Sequence, residues 1–220
     1  MEKLKENRFY IIVTSLLTLM PVVIGLFLYD RLPEQIPSHF GLNGEVNQYS
    51  SKNFTVFFIG FFLFAMHLFC LFITLHDPKN RNISNKVLHL ILWICPFVAF
   101  YLSFIVYGYA LGVKFDITKV SLLFVGIIFL VMGNYLPKCR QNYTIGIKCA
   151  WTLNDKENWD RTHRFSSYVF VCAGLLMMGS VFLKTDILPY FVFAVVFVVS
   201  FLPFLYSYLF YRKKLKKEES

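Results

Sequence analysis

The chain has 220 residues, 57% of them hydrophobic and 19% aromatic, and a formal net charge of +9. That composition excludes an ordinary water-soluble globular domain. The positive balance does not make a nucleic-acid footprint either, because the basic residues are spread over short segments between long apolar runs.

Six stretches carry no Asp, Glu, Lys or Arg: 9–29, 53–76, 87–113, 120–137, 165–183 and 187–211. A helix needs ~20 apolar residues to cross the hydrocarbon core. The reading is an all-α integral membrane bundle of six transmembrane helices, one membrane domain over 1–220. The helices run over about Phe9–Tyr29, Phe54–Leu75, Val87–Gly112, Val120–Leu136, Phe165–Leu183 and Ile187–Tyr211. With the N-terminus inside, the inside segments hold 17 of the 22 Lys and Arg and the outside segments 5. The positive-inside rule then makes both termini cytoplasmic, N-in and C-in. The first apolar run exceeds a signal-peptide core, and no small-residue cleavage site follows it, so it reads as an uncleaved first helix. Cys70, Cys95 and Cys172 fall in spans, and Cys139 and Cys149 in the cytoplasm, which predicts free thiols.

Helix one carries Pro21 near its middle, read as a kink satisfied by a neighbouring helix. An extracellular loop, 30–53, follows. Leu32-Pro33 and Ile36-Pro37 stiffen its start toward an extended form, and Asn43-Gly44 is a turn signal. His39 has scattered acids around it but no second His, which is not a metal set. His67 lies deep in helix two and is an intramembrane polar candidate. His89 lies near the cytoplasmic end of helix three, within reach of headgroups, and Pro96 in that helix is read as Pro21 is. The connection His76–Lys86 is short and basic.

Helix four leads into a polar cytoplasmic segment, 134–164, placed between helices four and five and expected to be part helical, part extended. Pro137 discourages further helix. Tyr143–Cys149 alternates around Gly146, which predicts a short extended piece with a close backbone approach at the glycine. Asn154 followed by Glu157 resembles a helix cap with its reciprocal acid. A helix from about Asp155 would put Trp159 and His163 on one face and run on into helix five. After helix six a basic tail meets the inner leaflet.

The pattern Gly133-Asn134, Pro137, Asn142-Tyr143-x-Ile145-Gly146-Ile147-Lys148, Trp151-Thr152-Leu153, Trp159, Thr162-His163-Arg164 resembles the C-terminal signature of the SdpI family of bacterial multipass membrane immunity proteins. Leu32-Pro33, Ile36-Pro37, His39-Phe40, Gly44 and Tyr49 resemble that family's N-terminal signature. The chain departs from the pattern at Lys148, where Arg is usual, at Cys149-Ala150 and at Ser166-Ser167. Lys keeps the charge at 148 but loses the planar fork. The resemblance implies a protein of the bacterial cell membrane that protects its producer from a secreted peptide toxin. In some members it also implies signalling, by recruitment of a transcriptional repressor to the membrane.

No span carries a charged residue, which disfavours a channel or proton-coupled transporter. No phosphate loop, nucleophile elbow or zinc-protease motif occurs. The alternative is a membrane enzyme or small-molecule transporter that uses Asp160 and His163, three apart on one helix, as an acid–base pair. The preferred reading is a binding protein whose partners are the bilayer, a peptide toxin and a repressor, with no catalytic residue, cofactor or metal. Its candidate contacts are His39 and Phe40 outside, and Asn142, Gly146, Lys148, Trp151, Trp159, His163 and Arg164 inside.

Overall fold

The computed structural model describes residues 2–41 and 44–218. Helices dominate: α1 (Glu2–Glu6), α2 (Arg8–Phe27), α3 (Lys52–Leu75), α4 (Asn85–Ala110), α5 (Ile117–Tyr135), α6 (Ala150–Asn154), α7 (Lys156–Gly179) and α8 (Leu188–Glu218). Among the described residues, six helices are long and apolar enough to cross a membrane. Their outward faces are greasy: Phe27, Phe182 and Phe193 are 85%, 90% and 73% exposed. Such faces suit a hydrocarbon solvent and not water.

The chain divides into two compact units, Met1–His76 with Leu88–Val120, and Asp77–Val87 with Ser121–Ser220. In the first, α2 runs unbroken through Pro21, whose carbonyl accepts the Tyr107 hydroxyl of α4 at 3.2 Å. The expected neighbour is therefore present. His67 is buried on α3 with its Nε2 3.4 Å from the Thr14 hydroxyl. His89 bonds the Asn7 side chain at 2.7 Å and lies against the Tyr10 ring.

The 30–53 connection departs from the all-helical expectation. It folds as an antiparallel hairpin of β1 (Gln35–Phe40) and β2 (Val46–Ser51). The ladder is irregular between Pro37 and His39, where proline supplies no backbone donor. The hairpin is docked and not a free loop. Leu32 and Ile36 are 4% and 0% exposed and pack with Val56, Val106 and Tyr107. Lys52 pairs with Glu34 at 2.8 Å and sits 4.5 Å from the Tyr29 ring. Of the expected Asn43-Gly44 turn, Asn43 lies outside the described residues; Gly44 has φ 81°, the left-handed conformation that favours glycine.

In the second unit, α5 and α7 approach through small residues. A Cβ on Gly126 would sit 2.9 Å from the Gly174 carbonyl, and one on Gly174 would sit 2.8 Å from the Gly126 carbonyl. This is the small-residue contact that lets apolar helices associate in lipid. Leu122, Ala173, Met177, Leu188, Val195 and Val199 form the core beside it.

Candidate partner-binding segment

The segment between α5 and α7 has little regular structure, yet its backbone groups are tied down one by one. Pro137 lies in a 3-10 turn, Leu136–Lys138, that ends α5. The Cys139 carbonyl then accepts the indole N–H of Trp159 at 2.7 Å. Asn142 is buried; its Oδ1 accepts the N–H groups of Thr144 and Ile145 at 2.9 and 2.7 Å, and its amide donates to the Arg140 carbonyl. One short side chain thereby closes the turn that strand or helix pairing leaves open.

Gly146 follows with φ 115°. A Cβ there would run into His163 Nε2 and lie 3.0 Å from the Trp159 ring. Trp159 and His163 stack with centroids 4.1 Å apart, and both are essentially inaccessible. Their placement on one face of a helix is as expected. The Ile147 N–H donates to His163 Nε2 at 3.1 Å, which makes that nitrogen the unprotonated one. Nδ1 therefore carries the proton and donates it to the Trp159 carbonyl at 2.8 Å. The imidazole is neutral and both its nitrogens are used by the backbone.

That geometry removes the acid–base pair. Asp160 is exposed on the same helix, but His163 has no nitrogen left for it. Among the described residues, no group of three or more His, Cys, Asp and Glu has a geometry that holds a metal ion.

The helix cap is one residue later than expected. Asp155, not Asn154, caps α7, accepting from the N–H groups of Glu157 and Asn158. Asp155 also pairs with Lys214 of α8 at 2.8 Å. Burial works to raise its carboxyl, but the Lys214 ammonium and the two backbone donors outweigh this and hold it below the usual carboxylate value. The tail after Tyr211 is thus part of α8, clamped to the start of α7. Asn158 extends the clamp: its amide donates to the Ser207 carbonyl at 3.0 Å, and its Oδ1 accepts the Ser207 and Thr162 hydroxyls.

Asp77 was not singled out in the sequence and proves central. It is 5% exposed; Oδ1 accepts the Lys79 N–H, and Oδ2 accepts the Tyr143 N–H at 2.8 Å and the Thr144 hydroxyl at 2.6 Å. Gln141 works beside it, donating to the Thr152 and Leu153 carbonyls while its own carbonyl accepts from Asn82. The lone acid among basic residues before α4 was the available signal. Burial also pushes the free Cys139 thiol up to about 11, which keeps it inert.

The remaining candidates separate by exposure. Lys148 is exposed and donates to the Tyr143 and Thr144 carbonyls at 3.0 and 2.9 Å, a point contact that a planar fork is not needed for. Trp151 leans on Tyr208 and Tyr211; among the described residues its buried Nε1 has no partner. Arg164 is exposed on α7. In the first unit, His39 is exposed and bonds Asn47 at 2.6 Å, while Phe40 packs on Tyr109. Gly146, Trp159 and His163 are therefore one contact set, Asn142 is buried in the turn before it, and Lys148 and Arg164 are surface.

Six apolar helices and a docked polar segment define a multipass membrane protein. The family described as the SdpI/YfhL protein family matches residues 138–207, which take in the docked segment, α7 and α8 as far as Ser207. A domain of unknown function, DUF1648, matches 16–64, spanning part of α2, the hairpin and the start of α3. The immunity protein SdpI of Bacillus subtilis (strain 168) is 28% identical over 215 residues, covering 96% of this chain and 98% of that one. The chain is SdpI-like in sequence along nearly its whole length. No solved structure matches it.

Proposed function

We propose that this chain is a membrane immunity protein that protects its producer from a secreted peptide toxin. The observation that carries the reading is the end-to-end similarity to an immunity protein. The 17-to-5 distribution of Lys and Arg supports both termini, the 76–86 connection and the 134–164 segment facing the cytoplasm. On that topology the hairpin faces outward and is the surface that a toxin meets first, with His39 and Tyr49 exposed on it.

The docked segment is the part suited to a cytoplasmic partner, such as the repressor that the family resemblance implies. Its backbone is held by several hydrogen bonds, and such a base presents Tyr143 and Lys148 at low entropic cost. Trp159, His163, Asn142 and Gly146 serve in this reading by holding the platform and not by touching the partner.

The test is to express the chain in a toxin-sensitive bacterium and measure survival against peptide toxins of the producing organism. Survival above the empty-vector level supports the reading. No protection at confirmed membrane levels counts against it.

A further inference from the structure

The geometry points to a phospholipid site on the second unit that selects an aminophospholipid, phosphatidylethanolamine, through Arg164, Asp160 and the groove between α7 and α8. The inference needs only the membrane location, not the immunity reading.

Two cavities meet there. A polar pocket of about 680 Å³ is lined by Asp160, Arg161, Arg164, Tyr168 and Tyr206 among others. A groove of about 440 Å³ is lined by Val169, Ala173, Leu176, Phe191, Ala194 and Leu202 among others. Phe165 and Tyr168 line both, so the two are adjacent. A polar mouth leading into an apolar slot has the form of a headgroup site over an acyl chain.

The charges specify the headgroup. Arg161 is neutralised by Glu157 at 2.9 Å and lies over the Phe210 ring. Asp160 and Arg164 sit one turn apart on α7, and among the described residues neither makes an ion pair. One unpaired cation and one unpaired anion match a zwitterion: a phosphate against the guanidinium and a primary ammonium against the carboxylate. An anionic headgroup satisfies the first contact and is repelled by the second. Arg164 immediately precedes the charge-free stretch 165–183, and two tyrosines line the mouth, as expected at headgroup level.

The full-length protein, reconstituted in nanodiscs of equimolar phosphatidylethanolamine and phosphatidylglycerol with identical chains, is released and weighed by native mass spectrometry. The parent should retain one phosphatidylethanolamine in preference to phosphatidylglycerol. Arg164→Gln should lower retention of both lipids, whereas Asp160→Asn should erase the preference, each by about fivefold, one charge contact's worth. Ala194→Phe, which fills the groove, should lower retention with the headgroup contacts intact, and inorganic phosphate should not displace the lipid. These substitutions are at exposed positions, and unchanged circular dichroism melting checks the fold. Equal retention of the two lipids by the parent overturns the proposal. So does retention unaffected by Asp160→Asn and Arg164→Gln, or a co-purifying peptide in place of lipid.

Discussion

His163 Nε2 accepts the Ile147 N–H at 3.1 Å, and the residue before that donor, packed against the imidazole, is Gly146, at φ 115°. The contact requires a residue with no side chain. Gly146→Ala adds a methyl that meets both His163 and Trp159 and also strains the backbone. It should cost about 2–4 kcal/mol, read as a lower melting temperature in detergent. Gly112, at φ 81° with nothing within 4 Å of a built Cβ, separates the two terms. Gly112→Ala should cost about 1 kcal/mol, strain alone.

Asp77 holds residues 143 and 144 by two bonds from one carboxylate oxygen. Asp77→Ala removes the acceptor of three part-buried hydrogen bonds, at about 0.5–1.5 kcal/mol for each. Limited proteolysis of inside-out vesicles should then cut 142–149 as fast as the C-terminal tail. In the parent the tail should be cut well before that segment.

Much of the fold was legible because lipid exposure is written in composition: each charge-free run became a long apolar helix. The close approach at Gly146 was also readable, as a glycine amid alternating residues. The hairpin was legible only in part: an extended start and a turn were readable, but the strand pairing was not, because Pro37 interrupts the ladder and the burial of β1 does not alternate. Asn154 and Asp155 are both good caps, and only the geometry chooses between them. Asp77 reaches a partner 66 positions away through backbone N–H, which leaves no local pattern. The Asp160–His163 pair failed because neighbouring backbone, invisible in spacing, takes both imidazole nitrogens.

The Asp155–Lys214 clamp carries a pH signature. A carboxyl held below its usual value contributes stability that is present above the unfolded value, about 3.9, and lost as pH falls through the lower folded one. Asp155→Asn retains a capping side chain but drops the charge. The parent should melt higher than this variant at neutral pH. The difference should stay flat down to the ordinary carboxylate value and close below it.

The proposed orientation has its own check. In a cysteine-free background, a membrane-impermeant thiol reagent applied to whole cells should label Gln48→Cys on β2 and miss Ser220→Cys. The opposite pattern would place the hairpin inside and exchange the roles of the two surfaces.

If immunity begins at the outward hairpin, the docked segment serves a different step. The most direct measurement is survival under toxin, together with toxin pull-down, at matched membrane levels. His39→Ala with Tyr49→Ala removes two exposed side chains, and Phe40→Ala is scored separately because Phe40 packs on Tyr109. Trp159→Ala, at 0% exposure, should cost about 3–5 kcal/mol, so its membrane level is the control that matters most. The His39/Tyr49 variant should lose protection and toxin capture together, while Lys148→Ala should keep both. A His39/Tyr49 variant that binds and protects as well as the parent would contradict a start at the hairpin and move recognition into the bilayer, to His67.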